Sequence, residues 1–388
     1  MIRALVEQKK IVVCVGPGGV GKTTTAAALG AIAARLGRKT LVCTIDPAPR
    51  LADALGVGGL GPEPRPVPAA ACRALGIPEE GAGRLFAVRL DTARAFARLV
   101  DEQVADPEMR RRIFDNAIYR QVTTSLTGSQ EYAATLALYE LAREGAYDLI
   151  VLDTPPTANA LDFLDAPKRI AAAVSSPALN WFARPPQGGD GDGGGLRRLS
   201  LRRLRAGGAL VLRRLAKLVG SRFLDDVGAF LTDFQQVLGG FLERAKAVDL
   251  LLRGPDTAFL LVLVPAVAAV DEALYFHGRL REAGVPLSAF IANRVQPAPG
   301  ITEAGALATA LRAAPAFADL PDAALTEAAA RLAPLASTFA ALHAGERREL
   351  ARLAAQAPGT EITQIPLLGH DVDNLSELRV VGEALLAG

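Results

Sequence analysis

The segment Gly16-Pro17-Gly18-Gly19-Val20-Gly21-Lys22-Thr23 constrains this chain more than any other. It has the spacing GxxxxGK followed by Ser or Thr, with an apolar run before it (Ile11–Val15) and a helical pattern after it (Thr23–Leu36). Glycines there permit backbone angles that turn several N–H groups toward one point, which makes a cradle for an anion. The N-terminus of the following helix adds partial positive charge. In such a loop the lysine, here Lys22, reaches the β- and γ-phosphates of a nucleoside triphosphate, and the hydroxyl, here Thr23, ligates Mg²⁺. An ordinary glycine-rich turn needs none of these neighbours. Strand, loop, Lys-Thr pair and helix together select ATP or ADP with Mg²⁺ as the expected ligands.

The rest of the chain supplies the sheet that such a loop requires. Thr40–Ile45, Leu85–Leu90, Asp148–Asp153, Ala258–Val264 and Ser288–Asn293 read as further strands, Glu361–Ile365 closes the set, and helical stretches such as Leu136–Glu144 lie between them. This βαβ rhythm predicts an α/β fold: a doubly wound, mostly parallel sheet of about seven to eight strands flanked by helices, with an α-helical insertion subdomain. The abundance of Ala, Leu and Val and the scarcity of aromatics suit helices packed on a parallel sheet. The expected division is residues 1–92 as the first part of the core, 93–135 as a helical segment of the insertion and 136–167 as core again. Residues 168–254 follow as the helical insertion, with a flexible Gly-rich loop at 185–195, and 255–388 as the C-terminal part of the core. Gly56–Pro68 reads as a second Gly/Pro-rich loop, and Glu303–Ala355 as Ala-rich, helical and strand-free.

Several classes are set aside by composition. A net charge of +2 gives no global pull toward nucleic acid. The start, MIRALVEQKK, lacks the apolar core of a secretory signal, and the longest apolar run, Ala258–Val270, falls short of the roughly 20 residues that span a bilayer. A cytoplasmic location is expected. Cys14 and Cys43 sit in apolar runs where cysteine acts as a small hydrophobe, while Cys72 reads as a loop residue. With no CxxC pair and three scattered histidines, no zinc site is expected.

Hydrolysis needs a carboxylate that orients magnesium and a group that positions water. Asp46 follows Thr40–Ile45, and Asp153 ends Asp148–Asp153. Open α/β sheets bind ligands at the carboxyl ends of their strands, so both aspartates are expected to face the phosphates. Either one alone could equally be a turn or cap residue; a phosphate loop in the same sheet favours the functional role.

The loop GGVGKTT, the segment Ile45-Asp46-Pro47-Ala48 and the segment Asp153-Thr154-Pro155-Pro156-Thr157 together resemble the family of ATPases that drive arsenite pumps and target tail-anchored membrane proteins. The resemblance covers most of the chain and identifies it as a bacterial-type member with a deviant Walker A loop. It implies nucleotide contacts from Gly16, Gly18, Gly19, Val20, Gly21, Lys22, Thr23 and Thr24. It implies that Asp46 positions or activates water in a first switch, Asp46-Pro47, and that Asp153 holds magnesium through water in a second, Asp153-Thr154-Pro155. Asn293, after a late strand, would read adenine, and Pro366-Leu367 would border the base, which places the adenine loops within residues 255–388. An asparagine amide also suits adenine on its own chemistry, since it offers both a donor and an acceptor; a strand-ending turn residue is the alternative.

Four features depart from the family. These loops usually carry a signature lysine as the second residue, which reaches a partner subunit's phosphates; here that residue is Pro17. Arsenite-pump members bind metalloid through clustered thiols, and soft As(III) wants sulfur, so the scattered cysteines predict no arsenite site. The paired cysteines with which targeting ATPases clamp zinc at a dimer interface are missing. Grooves for membrane segments are often methionine-rich, but this chain has only Met1 and Met109.

Inside the insertion, Phe223, Val227, Phe230, Phe234, Leu238 and Phe241 recur at three- and four-residue steps. Such a stripe packs against neighbouring helices or forms the wall of a client groove. Residues 196–219 carry arginines and a lysine without an acid, which reads as a solvated face or as a contact with anionic lipid or an acidic partner. The resulting expectation is a dimeric, ATP-driven switch, homodimeric or paired with a lysine-bearing paralogous ATPase. It would act on a protein client or a membrane-associated partner, with peripheral membrane association as one location. A weakly hydrolysing regulatory or scaffold subunit is the alternative, and an arsenite-pump motor a further one.

Overall fold

Strand β1 (Ile11–Val15), β2 (Thr40–Thr44), β5 (Leu149–Asp153) and β6 (Thr257–Leu263) are buried at every residue. They read as continuous apolar runs because both faces of a parallel sheet are covered. This computed structural model describes residues 1–79, 84–116, 119, 129–154, 237, 239–240, 242–285, 287–298, 300–369, 372 and 374–387. With β3 (Arg65–Pro66), β4 (Leu85–Arg89), β7 (Leu287–Val295) and β8 (Glu361–Pro366), the strands form one eight-stranded sheet ordered β3-β4-β2-β5-β1-β6-β7-β8. All neighbours run parallel except β3, which is antiparallel to β4. The architecture is the expected α/β one.

Two local expectations need correction. The Gly/Pro-rich stretch 56–68 contains β3, an exposed two-residue edge strand. Nothing in Arg65-Pro66 signals a strand, and proline is tolerated there because an edge need not donate from every residue. Cys72 lies not in a loop but in a short helix, α4 (Ala69–Ala74), where its buried thiol donates to the Val67 carbonyl at 3.6 Å. A run of Ala, Cys and Arg directly after Pro68 is sufficient helix former to close one turn.

Helix α2 (Lys22–Arg35) is apolar nearly all round, as a helix buried on several sides must be. Alternate strand residues, among them Val12, Val42, Val151 and Leu260, share its core cluster with Leu378, Val381 and Leu385 of helix α11 (Leu375–Ala387). Close approach depends on a glycine at one point. A Cβ on Gly30 would lie 2.3 Å from Val42 Cγ2, whereas one on Gly382 would make only ordinary contact with Ile32 at 3.6 Å. Helix α8 (Val267–Glu282) and the long helix α10 (Asp322–Gln356) are tied by Arg352, which pairs with Asp271 at 2.6 Å and with Glu349 at 2.7 Å. The stretch expected to be helical and strand-free is α9 (Ala304–Ala313), one 3-10 turn and α10.

The chain divides into two compact units: Met1–Leu90 with Ala142–Leu161 and Arg253–Gly388, and Asp91–Leu141 with Asp162–Leu252. The first holds the sheet. In the second, α5 (Thr92–Gln103) and α6 (Pro107–Asp115) are each capped by an aspartate, Asp91 and Asp106, whose side chain accepts a first-turn amide hydrogen. Proline at the start of α6 breaks what the sequence pattern ran together as one helical stretch. Arg244 ties this unit internally, pairing with Glu140 at 2.7 Å and with Glu102, and lying over the Tyr139 ring at 5.3 Å. The Gly-rich loop 185–195, the basic run 196–219 and the stripe Phe223, Val227, Phe230, Phe234, Leu238 and Phe241 lie outside the described residues. Among the described residues no helix is long and apolar enough to cross a membrane.

The α2–sheet contact has a testable consequence. Gly30→Val would drive a branched side chain into Val42 and Leu85, so we expect about 1–3 kcal/mol of destabilisation in urea unfolding. A variant with wild-type midpoint and slope would contradict this packing.

Candidate active site

Sheet order and register assemble the site. β5 lies between β1 and β2, and its last residue, Asp153, pairs in register with Cys14 on one side and with Thr44 on the other. Three chain segments therefore leave neighbouring strand ends together: the glycine loop after Val15, the Asp46 segment after Thr44, and Thr154 after Asp153. That edge is where open α/β sheets place ligands.

The loop's shape needs glycine at two positions above all. Gly16 has φ 146° and packs so tightly that a Cβ would stand 2.1 Å from the Val262 carbonyl oxygen. Gly21 has φ 98°, and its Cβ would meet the Asn293 side-chain amide at 2.2 Å. As the N-cap of α2, Gly21 has no side chain to satisfy the first amides of that helix. Those N–H groups are left for an anion.

Lys22 opens α2 and is only 6% exposed. Its Nζ donates to the Pro17 carbonyl at 2.6 Å, so the ammonium lies across its own loop. Burial pulls its pKa below the usual lysine value, while the charge of Asp153 opposes that shift. Asp153 is buried as well. Its Oδ2 accepts hydrogen bonds from Thr23 Oγ1 at 2.8 Å and Thr44 Oγ1 at 3.1 Å, and its Oδ1 is buried with no partner. Desolvation pushes its pKa up to about 6; the two hydroxyls and Lys22 hold it down, and Asp46 pushes it further up. Asp46 is fixed by its own turn. Its Oδ1 accepts from the Ala48 amide at 2.9 Å, and its N–H donates to Thr44 Oγ1 at 3.2 Å. Arg50, the first residue of helix α3 (Arg50–Ala54), stands 3.8 Å from Asp46 Oδ2.

These groups surround one cleft of about 390 Å³. Gly19, Gly21, Lys22, Thr23 and Thr24 line it from the loop, and Asp46, Asp153 and Thr154 line it from the other strand ends. Thr154 is held by its hydroxyl, which donates to the Cys14 carbonyl at 2.8 Å. Gly16 and Gly18 shape the loop without lining the cleft, and the Val20 side chain is buried in the core. Asn293 braces the loop, its Nδ2 donating to the Val20 carbonyl at 2.8 Å and its Oδ1 accepting from the Arg294 amide at 2.9 Å. Pro366 ends β8, and Leu367 bonds to the β7 backbone through the Val295 carbonyl at 2.8 Å. Neither these two, nor Asn293, nor the exposed Pro47 lines the cleft, and Pro155 lies outside the described residues.

Arg50, Asp53 and Val372 also line the cleft, and the motifs did not mark them. Arg50 and Asp53 had a signal available, since they fall about one and two helical turns beyond Asp46. Val372, far along the chain in a segment without a motif, had none.

The residues present suit magnesium. Thr23 spends its hydroxyl hydrogen on Asp153, which leaves its oxygen lone pairs free, and the partnerless Asp153 Oδ1 is a buried acceptor awaiting a donor or cation. Among the described residues no group of three or more His, Cys, Asp or Glu could hold a metal. Mg²⁺ needs none, since it binds through one or two protein groups with phosphates and water completing its shell.

A model of the anion-transporting ATPase family matches residues 9–177. The protein named "Putative arsenical pump-driving ATPase 1" of Aquifex aeolicus (strain VF5) is 27% identical over 297 residues, covering 74% of this chain and 64% of that protein. "ATPase get3" of Aspergillus terreus (strain NIH 2624 / FGSC A1156) is 28% identical over 179 residues, 45% of this chain and 48% of that protein. "ATPase GET3C" of Arabidopsis thaliana is 24% identical over 296 residues, 75% of this chain and 68% of that protein. The chain thus spans less than two thirds of the Aquifex and Aspergillus proteins. The glycine loop, Asp46 and Asp153 all fall within residues 9–177, the segment that is similar to the anion-transporting ATPase family.

Proposed function

We propose that the chain is a magnesium-dependent, ATP-binding and ATP-hydrolysing dimeric switch whose helical unit handles a protein client, as in the tail-anchored-protein targeting ATPases it resembles. One observation carries this reading: loop amides, a buried lysine, a hydroxyl and two strand-end carboxylates converge on a single cleft. Lys22 and the amides of Gly19, Gly21 and Thr24 bind the phosphates; Thr23, and Asp153 through water, would hold magnesium, which would supply charge neutralisation to the phosphates. Asp46 orients water for attack. The water oxygen bonds to Pγ, the bond from Pγ to the bridging oxygen breaks with its electron pair leaving on ADP, and the water's proton passes by way of Asp46 to solvent.

Adenine recognition is assigned to Asn293, with Pro366-Leu367 beside the base. The second N–H on Asn293 Nδ2 and the second lone pair on its Oδ1 suit a base edge. A protein client is favoured over a metalloid because all three thiols, Cys14, Cys43 and Cys72, are buried in the fold. Burial also holds Cys14 and Cys43 far above the usual thiol pKa, where no thiolate is offered to As(III). The stripe from Phe223 to Phe241 is the proposed client surface. A second reading, a slowly hydrolysing subunit that pairs with a lysine-bearing paralogue, is favoured by Pro17, whose carbonyl merely receives this chain's own Lys22.

Three predictions test the site. Calorimetry with MgADP should show binding to the wild-type chain and a loss of at least about tenfold in affinity for Lys22→Ala. Asp46→Asn should still bind MgATP yet retain it unhydrolysed; turnover at the wild-type rate would remove Asp46 from the reaction.

The third concerns Asp153. Its carboxyl has a folded-state pKa of about 6 against an ordinary 3.8, so its contribution is most favourable at acid pH and is lost as pH rises through 6. The ionised group then costs on the order of 3 kcal/mol at pH 8. Without nucleotide or magnesium, Asp153→Asn is expected to unfold at higher denaturant than wild type at pH 8, with the gain shrinking toward pH 4. The same variant should lose most of the stabilisation that MgADP gives wild type, about 2.7 kcal/mol at a hundredfold excess over Kd. A destabilised variant at pH 8, or one still fully responsive to MgADP, would count against this role.

A further inference from the structure

Phosphoryl transfer is governed by charge that builds on the migrating group, and the cleft has few cations to meet it. Of the residues that line it, Lys22 and Arg50 are positive and Asp46, Asp53 and Asp153 are negative. The carboxylates already outnumber the cations, and a triphosphate brings further negative charge. Lys22 is nearly buried, hydrogen-bonded across its own loop, and already assigned to phosphate binding. Arg50 is neither buried nor so held. Its side chain is 64% exposed, and among the described residues its one polar contact is Asp46 Oδ2 at 3.8 Å, too long for a hydrogen bond. Its charge is nonetheless felt at Lys22, where it depresses the ammonium pKa, so both cations act on the same small volume.

We propose that Arg50 is a catalytic cation acting in cis: when nucleotide enters, its guanidinium leaves the loose contact with Asp46 and donates to the γ-phosphate. The inference rests on the ATPase reading above and adds the group that supplies transition-state charge. Arg50 lies four residues after Asp46, so one short segment carries both the water-handling carboxylate and the cation. Moving the guanidinium onto phosphate also uncovers Asp46 Oδ2. That oxygen then takes the water's hydrogen as the new bond to Pγ forms and the bridging oxygen departs with its electron pair; Arg50 keeps its protons throughout. The planar guanidinium can meet two phosphate oxygens at once, which an ammonium cannot. With this cation in the same chain, hydrolysis does not await a lysine from a partner.

The test compares the full-length wild-type chain with Arg50→Ala and Arg50→Lys by three measurements: MgADP affinity, single-turnover hydrolysis of MgATP, and trapping of MgADP with aluminium fluoride, a mimic of the transferring phosphoryl group. Arg50→Ala should bind MgADP within about threefold of wild type. It should lose about 10²-fold or more in single-turnover rate and fail to trap aluminium fluoride, with Arg50→Lys recovering part of both. Because the side chain is exposed, its thermal unfolding should match wild type. Wild-type rate and trapping in Arg50→Ala would overturn the role of Arg50 and leave the ATPase reading standing. Equal losses of MgADP affinity and rate would assign Arg50 to ground-state binding, which also overturns it. If wild type itself neither bound MgADP nor hydrolysed MgATP, the ATPase reading would fall, and this inference with it.

Discussion

The carboxylate of Asp153 is the point on which the site depends. It lies at the end of the strand between β1 and β2, so it is in register to touch what both neighbours carry. Its Oδ2 gathers the hydroxyl of Thr23 from the glycine loop and that of Thr44 from below Asp46. Two segments far apart in sequence are thereby locked to one atom. The arrangement is costly, since the charge is buried and Oδ1 has no partner. A buried, half-satisfied carboxylate with a raised pKa marks a place where stability is exchanged for a ligand.

The same network ties the two acidic segments together. The Asp46 N–H donates to Thr44 Oγ1, and Thr44 Oγ1 donates to Asp153 Oδ2. Any ligand that draws on Asp153 alters the acceptor of Thr44, and through it the anchor of the Asp46 turn. Lys22 belongs to the same balance: burial disfavours its charge, Asp153 favours it, and its present acceptor is a neutral carbonyl. Phosphate oxygens are stronger acceptors than that carbonyl, so anion binding and ionisation of the buried pair support each other.

Much of this was legible in the residues because it follows from local chemistry. Continuous apolar runs marked the buried strands to within a residue or two, and the Gly-Lys-Thr loop together with two strand-end aspartates located the cleft. What escaped was what local chemistry does not encode. β3 exists only because β4 offers an edge to Arg65-Pro66, and Cys72 became helical where the pattern suggested loop. Arg50 and Asp53 stood at helical spacing after Asp46, a signal the motifs did not use, and the α3 turn brings them into the cleft. Asn293 shows the opposite case: the sequence reading assigned it to a base, and the structure adds that its amide braces Val20 and crowds Gly21, a packing constraint invisible in the motif.

How far could such a site drive the proposed switch? The helical unit begins at Asp91, directly after β4, and resumes at Asp162, nine residues beyond Asp153. The chain therefore passes into that unit after two strands of the sheet, one of them the strand that ends in Asp153. Moving a two-state equilibrium from 1:99 to 99:1 takes about 5.5 kcal/mol of differential binding. A charge-assisted hydrogen bond contributes about 1.5–3 kcal/mol, so two or three made to the γ-phosphate in only one state are sufficient. Arg50 and whatever part of the Lys22 contact reaches the γ-phosphate are groups of that kind, and only contacts that exist with ATP and vanish with ADP count toward the difference. Contacts shared by the two nucleotides, such as those to the β-phosphate, strengthen binding without favouring either state. The exposed cation on the Asp46 segment, if it moves to the γ-phosphate as proposed, is for this reason worth more to a switch than a further fixed donor in the glycine loop.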